Sequence, residues 1–321
     1  MPDILNALAG NLLVPTILFF ILGLVAASIR SDLSIPAGAA KFMSLYLLLA
    51  IGFKGGSSLG EYGLQPDLFW TIGAGVILSF VGPFIAFGLL RVMTRLDAVN
   101  AAAVAGHYGS ISIVTFVAAT SLLDLIGLPF DGYMVAVAAT MEVPAILSAL
   151  WIAHRFSPQG QTQPMSLREL LANGSIILLS GSFIIGAATG SKGMDMISPF
   201  VVTPFIGILC VFLLDMGLSA GRSLIQNRHM LSTGLFAFGI VMPLVGALLA
   251  WSFAFALGMQ SGSAFLLMVL AASASYIAVP AAMRIALPKA EAGIYLTLAL
   301  GVSFPFNITL GLPIYLWIAD L

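Results

Sequence analysis

The feature that most constrains this chain is a series of continuously apolar runs that recur along its whole length. A helix that spans a bilayer needs roughly 20 apolar residues, and the runs have about that length. The strands of a membrane barrel would alternate apolar and polar residues, and these runs do not. Only 8% of the residues are charged, against about 25% in soluble domains. The sequence therefore predicts a multi-pass, all-α integral membrane protein.

The runs predict ten spans, bounded by changes to polar residues. The spans are 11–29, 35–58, 69–92, 97–122, 132–153, 175–190, 199–221, 230–258, 262–287 and 292–318. The first has neither a basic region before it nor a small-residue cleavage site after it, so we interpret it as a span and not as a signal peptide. The longest polar stretch, 154–173, has the composition of a linker.

The positive charges predict an orientation. Of the 12 Lys and Arg residues, all but Lys54 and Lys192 lie near the odd-numbered connections. The positive-inside rule places those connections in the cytoplasm. We therefore expect an inner (plasma) membrane protein surrounded by lipid, with an even number of spans and both termini outside, in the periplasm.

Internal similarity predicts two halves, 1–160 and 161–321. A shift of 165 positions aligns 51–59 with 216–224 and places Gly109-Ser110 over Ala274-Ser275. Five spans in each half is an odd number, so the second half must enter the membrane from the opposite side. Inverted repeats of this kind are typical of secondary transporters.

The fourth and ninth spans are predicted to be broken. Residues 106–112 and 272–280 carry glycine, serine or proline at matching depths. Within a membrane, broken helices persist where they line a cavity. Their free N–H groups favour an anion and their free carbonyls favour Na⁺. The alternative is that these small residues serve only close helix packing.

Glu142 is the most prominent ionisable residue inside a span, and Pro144 after it frees a backbone carbonyl. The repeat pairs it with Ser303, and Asn307 follows in the tenth span. An intramembrane carboxylate is usually functional, so we expect Glu142 to bind a cation or carry a proton. The alternative is a structural partner for a backbone N–H or a neighbouring hydroxyl.

Three other polar residues leave alternatives open. Lys54 and Asp215 occupy near-equivalent places in the second and seventh spans, where they can pair and lock the halves together or serve a substrate. His107 can titrate near neutral pH, or it can be a hydrogen-bonded packing residue.

No enzyme motif is present, and the chain is expected to be neither an enzyme nor a cofactor-binding protein. Cys210 is the only cysteine, which excludes an internal disulfide and a cysteine metal site. No basic stripe suggests nucleic acid.

Several motifs resemble the sodium-dependent bicarbonate transporter family, in the same order from about residue 15 to 317. They are Ile51–Gly56, Gly106–Ser112, Met141–Ala145, Ala271–Pro288 and Ser303–Pro305. The resemblance implies a homotrimeric elevator-type transporter whose core domain, with crossed broken helices 4 and 9, slides against a gate domain. Both domains would be interleaved across the two repeats. It also implies bicarbonate as substrate and Na⁺ as coupling ion, with no metal cofactor.

The resemblance and the repeat together indicate the candidate site. Substrate-binding candidates are Gly109, Ser110, Ser112, Ser273, Ser275 and Tyr276. Ion-binding candidates are Thr115, Glu142, Ser303 and Asn307. The chain departs from the family where Tyr276 replaces an acid and Ala281 replaces a proline. Its linker is shorter than in the family, so a PII-like regulator stays an open question.

The leading hypothesis is a Na⁺-coupled symporter for a small inorganic anion, bicarbonate by resemblance. One rival is a transporter or exchanger that couples Na⁺ or H⁺ to another anion or an organic carboxylate. The other is a channel or a membrane scaffold that moves no solute by alternating access.

Overall fold

The computed structural model describes residues 15–62, 66–156, 174–276, 279–280, 282–283 and 287–320. Within these residues the chain is helical, and no β-strand occurs in them. Three predicted features lie partly outside: the start of the first span (11–14), the linker (157–173) and the ninth-span positions 277–278, 281 and 284–286.

The helices follow the apolar runs. In the first half they are α1 (Pro15–Ser28), α2 (Ala37–Tyr62), α3 (Pro66–Met93), α4 (Ala98–Gly109), α5 (Ile113–Ile126), α6 (Met134–Thr140) and α7 (Glu142–Phe156). In the second half they are α8 (Gly174–Val201), α9 (Phe205–Asn227), α10 (Thr233–Ala256), α11 (Ser261–Ala272), α12 (Ala292–Leu298), α13 (Phe304–Phe306) and α14 (Leu312–Ala319).

Multi-pass character is confirmed by the length and composition of these helices. Counting interrupted helices as single spans, seven in the described residues are long and apolar enough to cross a membrane. Pro15–Ser28 and Ser261–Ala272 are shorter apolar helices. The helix over the sixth predicted span continues past 190 to Val201, with non-helical angles at Gly190 (φ 57°, ψ −149°). A count of ten spans stays a prediction.

The fourth and fifth predicted spans are interrupted, and the tenth contains irregular helical turns. The fourth stops at Gly109 and resumes at Ile113, and the fifth is divided at Met141. The tenth remains continuous but includes two π-helical turns, Ala299–Ser303 and Asn307–Gly311. Such turns frequently occur at functional sites.

Two helix pairs pack backbone to backbone. A side chain at Gly56 of α2 would overlap the carbonyl oxygen of Phe183 in α8, and one at Gly217 of α9 would overlap that of Phe20 in α1. Small residues at four-residue spacing allow this approach in membranes. A second group of buried side chains joins α3, α4, α7, α10 and α12 around the first part of the broken fourth span.

The suggested pairing of Lys54 with Asp215 is wrong. Lys54 Nζ lies 2.6 Å from Asp124 Oδ2, because α2 directs this side chain toward the end of α5. The two halves therefore do not meet through a Lys54–Asp215 contact.

Asp97 caps the start of α4 and gives a prediction for stability. Its Oδ1 accepts hydrogen bonds from the backbone N–H groups of Val99 (2.9 Å) and Asn100 (3.0 Å). Burial raises the pKa of the carboxyl, but the hydrogen bonds from Asn100 and Val99 outweigh it and hold the pKa below its usual value. The cap therefore stabilises the fold above the unfolded-state pKa, and this contribution is lost as pH falls through the folded-state pKa.

We expect Asp97→Ala to lower the free energy of unfolding by about 1 kcal/mol at neutral pH. The difference from wild type should begin to shrink below about pH 4, where the carboxyl of the unfolded chain becomes protonated. Thermal unfolding in detergent at both pH values measures it. Asp97→Asn keeps an acceptor and should lose less, and an equal loss for both variants at both pH values would contradict the capping role.

Candidate functional site

The two predicted helix breaks lie against each other. The backbone N–H of Ser112, in the first break, donates to Ser273 Oγ at 2.8 Å. The N–H of Ser275, in the second, donates to the His107 carbonyl at 2.8 Å. Two helices, α4 and α11, therefore end at this crossing, and α5 begins there with Ser112 as its N-cap. Helix carbonyls and helix N–H groups meet in one buried place.

A cluster of hydroxyls fills the crossing. Ser112 Oγ accepts from the Thr115 hydroxyl (2.9 Å) and from the Thr115 N–H (3.2 Å). The Tyr276 hydroxyl faces that of Ser112, but it is buried and makes no hydrogen bond within 3.5 Å to any described residue. Ser273 donates to the Leu270 carbonyl.

Counting protons shows that the crossing holds an unused donor. Each hydroxyl has one proton, and that of Thr115 goes to Ser112. Whichever of Ser112 and Tyr276 donates toward the other, one hydroxyl proton between them has no acceptor in the described part of the chain. A buried polar group without a partner is costly, so the crossing is suited to a ligand that accepts hydrogen bonds.

Glu142 lies beside the first break. Its Oε2 accepts a hydrogen bond from the Ser110 hydroxyl at 2.8 Å, and the residue is only 6% exposed. The only ion pair formed by described residues is Lys54–Asp124, so no cationic side chain among them neutralises Glu142 within 4 Å. A buried carboxyl without a cation suits a coupling ion or a proton.

Ser79 on α3 supports the interruption beside Glu142. Its hydroxyl donates to the Met141 carbonyl and accepts from the Ala145 N–H at 3.2 Å. These two backbone groups lie where α6 ends and α7 begins, beside Pro144, which cannot donate a helical hydrogen bond. Ser79 therefore helps fix the place at which α7, and with it Glu142, begins.

Ser303 and Asn307 belong to neighbouring networks. Ser303 Oγ donates to the Gly239 carbonyl at 2.6 Å and accepts from the Tyr108 hydroxyl. Asn307 Nδ2 donates to the Ala272 carbonyl at 2.9 Å, and its Oδ1 accepts from Tyr315 at 2.8 Å. Neither residue is hydrogen-bonded to Glu142. Asn307 binds a carbonyl at the end of α11 and so holds the second break in place.

Two further candidates have local contacts of their own. A side chain at Gly109 would overlap the ring of Pro83, so the absence of one lets α3 approach the break. Ser275 Oγ accepts from the Val279 N–H at 3.4 Å and thus caps the chain after the second break.

The sequence did not single out Ser79, Tyr108 or Asp124, which contact Met141, Ser303 and Lys54. Ser79 and Tyr108 are polar residues inside apolar spans, and Tyr108 lies within the 106–112 motif. Their position in the interior of an apolar span was the sequence feature that could have identified both. Asp124 lies at the end of a run, where an acid is common.

Two Tyr→Phe substitutions test whether the Tyr276 hydroxyl contributes to stability. Tyr276→Phe removes a hydroxyl that has no hydrogen bond, so we expect the free energy of unfolding to stay within about 0.5 kcal/mol of wild type. Tyr315→Phe removes a bond to Asn307 and should destabilise by about 1 kcal/mol. Thermal unfolding in detergent compares them, and a larger loss for Tyr276→Phe would contradict the unpaired hydroxyl.

Comparison with known proteins identifies the family of the chain. Residues 15–320 match the Na⁺-dependent bicarbonate transporter superfamily, nearly the whole chain. No curated protein matches it. The chain belongs to this superfamily, which is a family of transporters and not of enzymes. Its apolar helices fit that class.

Proposed function

We propose that this member of the superfamily is a secondary transporter that carries bicarbonate, or a similar small inorganic anion, together with Na⁺. The observation that carries the proposal is the contact of the two helix breaks beside Glu142. Free hydroxyl donors and the N-terminus of α5 suit an anion there. Substrate candidates on this surface are Ser110, Ser112, Ser273, Ser275 and Tyr276.

The charges at the crossing give a physical reason for coupling. The anion would bind around Ser112, two residues from Ser110, which donates to Glu142. Two negative charges at such a distance repel strongly in a medium of low dielectric constant. A Na⁺ ion between them converts the repulsion into two attractions, so each ion favours binding of the other.

The Na⁺ ligands would come from the Glu142 side of the crossing. We assign Glu142 and Thr115 to this role, with helix-end carbonyls and Ser303, whose oxygen retains a free lone pair. Asn307 uses both ends of its amide in protein contacts, so we place it as a support for the second break.

The repeat relation is supported by the packing of the glycine-rich helices. The 165-residue shift equates Gly52 and Gly56 with Gly217 and Gly221. The first pair packs on α8, in the sixth span, and the second packs on α1, in the first span. Each half thus places its second helix on the first helix of the other half, as inverted repeats related by a pseudo-two-fold axis would.

The wider architecture belongs to the same proposal. It comprises ten spans, an elevator-like alternating access, a homotrimer in the inner membrane and both termini outside. Single cysteines introduced in the connections of a Cys210→Ser chain, labelled with a membrane-impermeant maleimide, test the orientation of each connection.

Proton coupling is the second candidate, and Tyr276 favours it. The family carries an acid where this chain has a neutral tyrosine, which leaves Glu142 as the buried carboxyl at the crossing. A single buried carboxyl can bind and release a proton, and this requires no ligands for Na⁺. Uptake driven by a pH gradient in Na⁺-free buffer would favour this mechanism.

The direct test is uptake of radiolabelled bicarbonate into proteoliposomes at fixed pH, with and without an inward Na⁺ gradient. Na⁺-dependent accumulation is the expected result. Ser112→Ala and Tyr276→Phe should each raise the KM for the anion, because each removes a donor. Folded protein that accumulates no bicarbonate under either gradient would overturn the substrate assignment, and conductance far above carrier turnover would indicate a channel.

A further inference from the structure

A cavity of about 520 Å³ lies away from the crossing, between two groups of helices. One wall comes from α2, the end of α8 and the start of α9, and includes Ile51, Val202 and Phe205. The other comes from the end of α5 and the chain that follows it, and includes Ser121 and Phe130. Its lining is largely apolar.

One ion pair crosses this cavity. Lys54 projects from the first wall and Asp124 from the second, with Nζ and Oδ2 2.6 Å apart. Both side chains are 49% exposed, so the pair is accessible from outside the chain. A lysine near a helix end usually extends to the membrane surface, whereas this one bonds across a cavity. Among the described residues that line the cavity, Lys54 and Asp124 are the only charged ones.

The α5 residues that line cavities extend toward the crossing. A second cavity of about 170 Å³ shares Ser121, Leu125 and Ile206 with the first and reaches Ala118. Ala118 is six residues from Ser112 in the sequence, about 9 Å along a helix. The cavity therefore lies beside α5, the helix whose N-terminus faces the proposed binding site.

We propose that Lys54 is an anion-capture site for the transported small inorganic anion, and that Asp124 gates it. The anion replaces Asp124 as the partner of Lys54. This exchange removes the contact between the two walls and leaves the anion in the cavity. The choice of anion rests on the proposed function, whereas the capture of a monovalent anion at Lys54 rests on the ion pair and the cavity.

Exposed ion pairs are weak, which suits a gate. Their strength corresponds to a factor of up to about five in an equilibrium constant. A pair of this strength lowers anion occupancy of Lys54 by up to that factor, and an anion can displace it. Asp124→Asn should therefore increase anion occupancy at Lys54, and Lys54→Gln should reduce it.

The first measurement is quenching by iodide of a fluorophore attached at Val202→Cys in a Cys210→Ser background. Val202 lines the cavity and is 47% exposed. Relative to the parent, we expect the quenching constant to fall about two- to fivefold in Lys54→Gln and to rise by a similar factor in Asp124→Asn. The double variant should match Lys54→Gln, because Asp124 acts through Lys54.

Two controls distinguish the effect of the Lys54 charge from a change in the accessibility of the fluorophore. The neutral quencher acrylamide should give the same constant in all variants, and Lys192→Gln removes an exposed positive charge of α8 outside this cavity. Raised ionic strength should reduce the differences between variants. The capture site would be overturned if the iodide quenching constants were equal in all variants. It would also be overturned if they changed in parallel with the acrylamide quenching constants.

Bicarbonate uptake supplies the second measurement. Lys54→Gln should raise the KM for the anion about two- to fivefold with little change in maximal rate. If wild type takes up no bicarbonate while the iodide pattern holds, the proposed function fails and the capture site stands. If wild type takes it up while iodide quenching and KM are the same in all variants, the capture site fails and the function stands.

Discussion

Glu142→Gln is expected to fold normally and to lose Na⁺-coupled uptake by at least about 30-fold, the factor that corresponds to removal of a buried charge partner. Glutamine keeps the size of the side chain and an oxygen that can accept from Ser110. It cannot supply a negative charge. The loss should therefore fall on ion binding and not on the position of α7.

The measurement is initial uptake of radiolabelled bicarbonate as a function of Na⁺ concentration. Glu291→Gln is the matched control, because Glu291 is exposed at the start of α12 and should leave uptake unchanged. A thermal unfolding profile equal to that of wild type verifies the fold. Unaltered uptake and Na⁺ dependence in Glu142→Gln would overturn the ion assignment, and Na⁺-independent uptake that has lost its response to a pH gradient would favour proton coupling.

Gly56→Ala is expected to destabilise the protein by about 1–3 kcal/mol, the usual cost of overpacking. The added methyl group would overlap the Phe183 carbonyl oxygen, with the Phe183 carbonyl carbon and the Ala187 nitrogen also nearby. These are backbone atoms of a helix, so they cannot rotate away as a side chain would. Helices α2 and α8 must separate to make room.

Gly73→Ala on α3 is the matched control. A Cβ at Gly73 meets nothing within 4 Å, so the substitution should be neutral or stabilise by up to about 1 kcal/mol through helix propensity. Thermal unfolding in one detergent compares both variants with wild type. Equal midpoints for Gly56→Ala and wild type would show that the contact between α2 and α8 does not limit stability.

The interrupted spans are features that nearby residues alone can predict. Glycine and serine at residues 109–112 predicted a break, and α4 ends at Gly109 with α5 starting at Ile113. The reason is local, because Ser112 caps the new helix through its own side chain. The fifth span, with Pro144 after Glu142, is interrupted at Met141 for a similar reason.

Contacts between residues that are far apart in the sequence were harder to predict from it. Pairing with Asp215 was one alternative for Lys54, and Lys54 binds Asp124 instead. Tyr108 bonds to Ser303, 195 positions away, and Asn307 holds the carbonyl of Ala272. Hydropathy gives the depth of a residue in the membrane, but it does not give the helix face that a neighbour will cover.

The sequence by itself determined the class of protein, a helical membrane protein of the bicarbonate transporter superfamily, and the positions at which its spans break. These properties depend on run length, on proline and glycine, and on capping side chains, all of which act within a few residues. Only the tertiary structure decided that the breaks touch, that Tyr276 keeps an unpaired hydroxyl and that Lys54 faces Asp124 across a cavity. Those outcomes depend on how closely the helices approach, and small residues spread over both halves of the chain set that distance together.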